Sequence, residues 1–241
     1  MSVKMTELFK LNEDDQTKQA EVKKWKNSRW IFVDTETTGL PKKDQPKPLM
    51  VQLGYAVIDN MKVVKVFNQL LDPGQDVEID PGAAAITGID RDKINKAKGE
   101  GTAKEFHEII HDFAKELSQA DVVMAYNVQF DKEIIEREFE LAGVQIPQKK
   151  WLDPMIWVQK HLTLPDHKLK TVAQHYKVSL ENAHDAGADS RAAAEVTMAF
   201  INEFDGIPDD QDQIVKLQGD WGAELKKARI AAWKDKKKNK E

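Results

Sequence analysis

At 241 residues the chain is long enough for one sizeable domain with extensions and too short for two comfortable ones. Hydrophobic residues make up 41% and charged residues 32%, so a packed core can form beneath a heavily solvated surface, while a formal net charge of −5 and a pI near 5.8 exclude the strongly basic balance that marks bulk nucleic-acid binders. The chain has no cysteine, which rules out disulfides, thiolate nucleophiles and cysteine-held zinc and fits an intracellular, cytoplasmic setting.

Residues 1–28 read as a polar extension, charged throughout and without the apolar stretch of a signal peptide. No apolar run approaches the roughly 20 residues of a membrane span, so no membrane partner is expected. The pattern then changes sharply. Trp30-Ile31-Phe32-Val33 is an aromatic and β-branched run that predicts a buried strand ending at Asp34. A Pro- and Lys-rich loop follows over residues 41–48. Strands are predicted over 51–58 and 62–71, the latter with Val64, Val66 and Asn68 on one face. Three consecutive strands with short turns predict an antiparallel meander.

Residues 72–101, rich in Gly, Pro and Asp, read as loop. Apolar residues at helical spacing (Phe106, Ile109, Ile110, Phe113, Leu117) predict a helix over 103–117. A short apolar strand at 121–126, a helix over 129–142, a fifth strand at Trp151-Leu152 and a short helix over 169–176 come next. Asp185 is placed to cap a long helix reaching about Phe204. The order predicts an α/β domain over residues 29–206, a mixed five-stranded sheet flanked by helices. Beyond it, Ile214, Leu217, Trp221, Leu225 and Ala228 predict one more amphipathic helix in a basic extension over 207–241.

Three acidic clusters stand at element ends. Asp34 and Glu36 in DTETTGL are two apart, so on a strand they share a face. Asn127 and Asp131 directly follow the DVVMAY strand, and His184 and Asp189 straddle the start of the last core helix. Alone, each has a plain explanation: a solvated loop, a charge at a helix N-terminus, a surface histidine. Converging, the four carboxylates would repel and some would protonate, a cost that hard divalent cations remove. Two such ions can clamp an in-line displacement at phosphorus, with a nearby imidazole taking a proton from water.

DTETTGL, the NVQFD cluster and HDAGAD resemble the three exonuclease motifs of the DEDDh (DnaQ-like) 3′-5′ exonucleases, a family that includes the proofreading subunit of bacterial DNA polymerase III. VQLGYAVID resembles the family's second strand, and the likeness covers about residues 30–204. It implies a ribonuclease H-like fold. It also implies Asp34, Glu36, Asp131 and Asp189 as the carboxylates for two Mg²⁺ or Mn²⁺ ions, with His184 as the general base. Thr37, Thr38 and Leu40 match the region that holds a terminal nucleotide, Leu40 against its base, and Asn127 matches the Asn before the third carboxylate. The departures are Thr87 where relatives often have His, Asp153-Pro154 where many have Asp-Thr, and Tyr126 where many have His.

The resemblance implies release of 5′-mononucleotides from single-stranded 3′ ends, of DNA ahead of RNA, in repair or proofreading, with a separate DNA polymerase chain as an open partner. Two rivals stand beside it: an exoribonuclease, and an inactive nucleic-acid-binding or polymerase-associated scaffold, which the presence of all five site residues disfavours. Lys42, Lys43 and Lys47 are either phosphate contacts or an ordinary exposed loop. Residues 220–241 carry eight Lys/Arg against four Asp/Glu and are either a holding surface for nucleic acid or a partner, or a solvated terminus.

Overall fold

The computed structural model describes residues 25–43, 47–180 and 183–238. In chain order the elements are β1 (Arg29–Thr37), β2 (Met50–Asp59), β3 (Lys62–Leu70), α1 (Pro81–Thr87), α2 (Arg91–Gly99), α3 (Phe106–Gln119), β4 (Val122–Met124), α4 (Val128–Leu141), β5 (Trp151–Leu152), α5 (Pro154–His161), α6 (Leu169–Tyr176), α7 (Ala186–Glu203) and α8 (Gln211–Lys238). The strands form one sheet in the order β3-β2-β1-β4-β5. β1, β2 and β3 are the expected antiparallel meander, and β4 and β5 run parallel to β1.

The sheet is buried on both faces at its centre. Ile31, Val33 and Val57 pack under α3 and α4, and Trp30, Phe32, Ala56 and Ile58 pack under α5 to α8. Coverage on two faces explains why β1 reads as a continuous apolar run with no alternation. β3 is one of the two edge strands, with Val64 and Val66 exposed to solvent and lysines along it that discourage strand addition.

Residues 72–101, read as loop from composition, contain α1 and α2. Both are too short to show apolar periodicity and are held by caps. Asp80 accepts from the N–H groups of Gly82 and Ala83 ahead of Pro81, and Asp90 accepts from that of Lys93. Buried Asp72 ties the segment together, bonded to Arg91 at 3.1 Å and Lys98 at 2.6 Å. α5 went unread because its apolar residues, Met155 to Val158, are consecutive and show no helical spacing; it is capped by Asp153 and begun by Pro154. Of the polar extension expected over 1–28, residues 1–24 lie outside the described residues. Trp25 is core: it lies in the cluster with Trp157 and donates through Nε1 to the carbonyl of Pro208 at 2.8 Å.

One close approach decides where α7 begins. A Cβ placed on Gly54 would fall 2.0 Å from the backbone carbon of Ala186 and 2.3 Å from the nitrogen of Gly187. Gly54 is the partner of Asp34 across the β1–β2 ladder, so the missing side chain lets the first turn of α7 rest on the sheet beside Asp34. Backbone cannot yield as a side-chain tip can. Gly54→Ala is therefore expected to lower stability by about 3 kcal/mol, which for a chain of this size is roughly 6–12 °C in Tm; a calorimetric scan beside the parent protein checks it.

Candidate active site

The C-terminal ends of β1 and β4 and the first turns of α4 and α7 meet at one edge of the sheet. Asp34 and Glu36 leave the same face of β1. Asp131 lies in the first turn of α4 and is buried, its Oδ1 accepting from the Thr35 N–H at 2.9 Å and the Thr35 hydroxyl at 2.8 Å. Two donors on one oxygen fix its rotamer against the strand that carries the other acids.

Asp189 is brought in by the cap of α7. Asp185 accepts from the Ala188 N–H at 3.0 Å, as its position predicts. That cap is itself gripped by the sheet. Asn68 of β3 donates to Asp185 Oδ2 at 2.6 Å, and Gln52 of β2 donates to the same oxygen at 3.3 Å while accepting from the Ala186 N–H at 3.1 Å. His184 precedes the cap with φ 70, a left-handed backbone unusual for a residue with a side chain. Its N–H donates to Asp189 Oδ2 at 3.0 Å. One ligand atom each from Glu36, His184 and Asp189 lies within 4.8 Å of the others.

The electrostatics follow from crowding. Burial, reinforced by Asp131, Asp189 and Glu36, pushes Asp34 well above the usual carboxylate range. Burial, then Asp189 and Asp131, pushes Glu36 up to about 8. Burial pushes Asp131 up to about 7 against the lowering effect of its Thr35 bonds. Burial also raises Asp189, offset in part by His184. Among the described residues, buried Asp189 Oδ1 has no hydrogen-bond partner. Hard oxygen donors that repel one another, one of them left unsatisfied, fit divalent cations of the Mg²⁺ or Mn²⁺ kind.

The remaining expected residues divide. Thr38 spends its N–H on the Leu49 carbonyl and its hydroxyl on the Leu49 N–H, and Thr37 donates its hydroxyl to the Gly39 carbonyl. Both are buried and build the turn that presents Leu40, which is 73% exposed. Leu40 lines a hollow of about 430 Å³ together with Glu36, Ile86, Thr87 and Phe130. Ile86, 61% exposed, and Phe130 were missed from sequence: Ile86 falls in the stretch read as loop, and Phe130 is one of several apolar residues in a predicted helix. Thr87 closes α1, its hydroxyl bonded to the Ala83 carbonyl at 3.1 Å. Lys42 pairs with Asp80 at 2.7 Å, so it is already engaged.

Asn127 caps α4 from a left-handed backbone, φ 78, and makes no side-chain cap bond. Its N–H and that of Val128 are held by the Asp153 carboxylate at 3.1 and 3.2 Å, and its exposed carboxamide has no hydrogen bond among the described residues. Asp153 is fixed in turn from α8: its N–H donates to Gln218 Oε1 at 2.6 Å, which also accepts from Trp157 Nε1 at 3.1 Å. Asp153 thus holds the turn that aims Asp131, a duty its sequence position did not reveal.

An exonuclease family model, RNase_T, matches residues 31–197. A 3′-5′ exonuclease DinG of Staphylococcus saprophyticus is 27% identical over 182 residues, covering 75% of this chain and 19% of that protein. The chain therefore spans about a fifth of the length of the curated relatives it matches. Among solved structures, exonuclease X in complex with 5′ overhanging duplex DNA matches with a TM-score of 0.58 at 17% identity, covering 77% of this chain and 99% of that one. The nuclease domain of 3′hExo, a DEDDh family member bound to rAMP, matches with a TM-score of 0.58 at 15% identity, covering 73% and 93%.

A carboxyl whose folded pKa lies above its unfolded value contributes stability that is fully present below the unfolded pKa and lost as pH rises through the folded one. With Glu36 at about 8 and Asp131 at about 7, chelator-treated protein is expected to lose stability between about pH 4 and pH 8. Millimolar Mg²⁺ or Mn²⁺ should restore it, with a larger rise in Tm at the top of that window than at the bottom. Equal rises at both ends would remove the carboxylate cluster as the ion-binding site.

Proposed function

The chain belongs to the RNase_T exonuclease family, in its DEDDh branch, and on that premise we propose that it removes nucleotides one at a time from the 3′ end of single-stranded DNA. The observation that carries this reading is the meeting of Glu36, His184 and Asp189, with Asp34 and Asp131 near enough to repel their neighbours, beside an apolar hollow.

Asp34, Glu36, Asp131 and Asp189 would hold two Mg²⁺ or Mn²⁺ ions, which when bound neutralise the phosphate and acidify water. The terminal base packs on Leu40, with Ile86 and Phe130 completing the hollow. Thr37 and Thr38 support that contact through the turn they build, and Asn127 offers its exposed carboxamide to the polar edge of the nucleotide. An imidazole nitrogen of His184 takes the proton from the attacking water. The water oxygen bonds to phosphorus, the bond from phosphorus to the departing 3′-oxygen breaks, and a 5′-mononucleotide leaves. The hollow is apolar on its base-facing side, so discrimination among bases should be weak. Such an activity would serve repair or proofreading. In proofreading a separate polymerase chain would deliver the 3′ end, and co-purification with a polymerase is the test of that role.

Asp34→Ala and Asp189→Ala are each expected to abolish Mg²⁺-dependent shortening of a 5′-labelled single strand. Full activity in either would sink the assignment. His184→Ala should retain residual turnover, reduced about 10²- to 10⁴-fold, the range for a lost general base. Matched DNA and RNA oligonucleotides, differing at the 2′-position that separates the two backbones, give the substrate: faster shortening of RNA would replace the DNA reading with an exoribonuclease.

A further inference from the structure

The far half of α8 has no role in holding the fold. Its near half is packed: Ile214 and Trp221 are buried, Asp212 pairs with Lys150, and Gln218 bonds to Asp153. From Lys226 to Lys238 every side chain whose exposure is described is open to solvent, including Ile230 at 46% and Trp233 at 63%. Among the described residues no hydrogen bond or ion pair engages Lys226, Lys227, Arg229 or Lys234.

Two contacts give the helix its direction. Asp212 meets Lys150, just before β5 begins, and Gln218 meets Asp153, just after β5 ends. Six residues of helix advance about 9 Å and three of strand about 10 Å, so α8 runs alongside β5 in the same sense. β1 is parallel to β4, and β4 to β5, so Asp34 and Glu36 lie at the end toward which α8 points. The helix is continuous to Lys238, and the 20 residues beyond Gln218 carry it about 30 Å past the catalytic edge. Only two strand spacings, about 10 Å, separate β1 from β5 laterally.

The surface it carries there is sorted by charge. Residues 226–238 include seven basic residues and one acid, in a chain whose net charge is −5. At 3.6 residues per turn, Lys226, Arg229, Ile230, Trp233, Lys234 and Lys237 fall within about 140° of one another, while Ala228, Ala231, Ala232 and Asp235 take the opposite side. Lys237 lies 6.0 Å from the centre of the Trp233 ring. Two apolar side chains are too few for the broad apolar face of a helix lying in lipid. A row of cations around one exposed aromatic is instead the surface that holds a single strand, by phosphate attraction and base stacking.

We propose that residues 226–238 form an arm that binds the phosphates and a base of the substrate strand upstream of its 3′ end. The inference rests on the reading of the chain as a nuclease, and the test separates the two. Kinetics would compare the full chain with the quadruple variant Lys226→Gln, Arg229→Gln, Lys234→Gln, Lys237→Gln and with Trp233→Ala. The substrates are a dinucleotide, which fills only the catalytic pocket, and an oligonucleotide of about 20 residues, which spans several phosphate sites. The quadruple variant should raise KM for the long strand about tenfold at moderate salt, and lower the slope of log affinity against log salt by about 3, near 0.7 for each lost phosphate contact on a single strand. Trp233→Ala should raise the same KM about fivefold or more, within the span of one lost stack. Turnover of the dinucleotide should not change, which also shows the variants to be folded. Unchanged KM and salt slope on the long strand, with activity intact, would overturn the arm and leave the nuclease standing. A parent protein that cleaves neither substrate would overturn both. Loss of binding to anionic vesicles or to a co-purifying protein, with long-strand kinetics unaltered, would assign the helix to that other surface and equally end the proposal.

Discussion

Asp34, Glu36, Asp131 and Asp189 repel one another, and much of the architecture serves to hold them together in spite of it. Each is anchored by a different device. Asp34 and Glu36 are bound into the centre of a sheet covered on both faces. Asp131 is fixed by two donors from Thr35, the residue that separates those two acids on β1. Asp189 depends on the capped first turn of α7, which Gln52 and Asn68 grip from two further strands. The positive end of a helix lies under both Asp131 and Asp189 and favours their charged forms, but by less than burial and mutual repulsion disfavour them, since all four acids stand raised. The unsatisfied Oδ1 of Asp189 is the residue of that imbalance.

This division of labour explains what could be read from sequence and what could not. Two acids spaced two apart after an apolar run are legible because a strand has period two, and Asp185 is legible because a cap lies one residue before its helix. The five-strand mixed sheet follows from the order of the long elements. The gripping residues are another matter. Gln52, Gly54 and Asn68 matter only because α7 lands on β2 and β3, a contact between segments more than a hundred residues apart. Ile86, in a stretch read as loop, and Phe130, in a predicted helix, carry no functional signal until the fold leaves them at the rim of a hollow. The helices α1, α2 and α5 have no stripe of apolar residues at helical spacing, although Asp80-Pro81 and Asp153-Pro154 each carry the cap-then-proline pattern of a helix start. In both cases the acid reads as loop chemistry until the turn behind it is known.

Asp153 shows how far such supporting roles reach. A left-handed residue at Asn127 starts α4, and a carboxylate on a different element holds the two N–H groups that this turn exposes. That carboxylate is placed by Gln218, beyond the stretch that matches the family model. The edge of the sheet that gathers the acids and the C-terminal helix are therefore linked through Gln218, and the segment read from composition as a basic extension helps in its near half to hold the turn before Asp131.

The charge distribution resolves the apparent contradiction between an acidic chain and a polyanionic substrate. Negative charge is needed where cations are to be concentrated, and the carboxylate cluster can supply it at one spot once an ion offsets the burial and repulsion that raise its acids. Positive charge is needed where phosphates pass, and the arm proposed over residues 226–238 would set it apart on α8, with Asp235 on the opposite side. An average over the two would cancel and inform on neither. Net charge describes a protein's solubility and long-range encounters. A helix that continues past the end of the sheet where the acids lie, as α8 does beyond Gln218, is a structure able to keep the two signs apart.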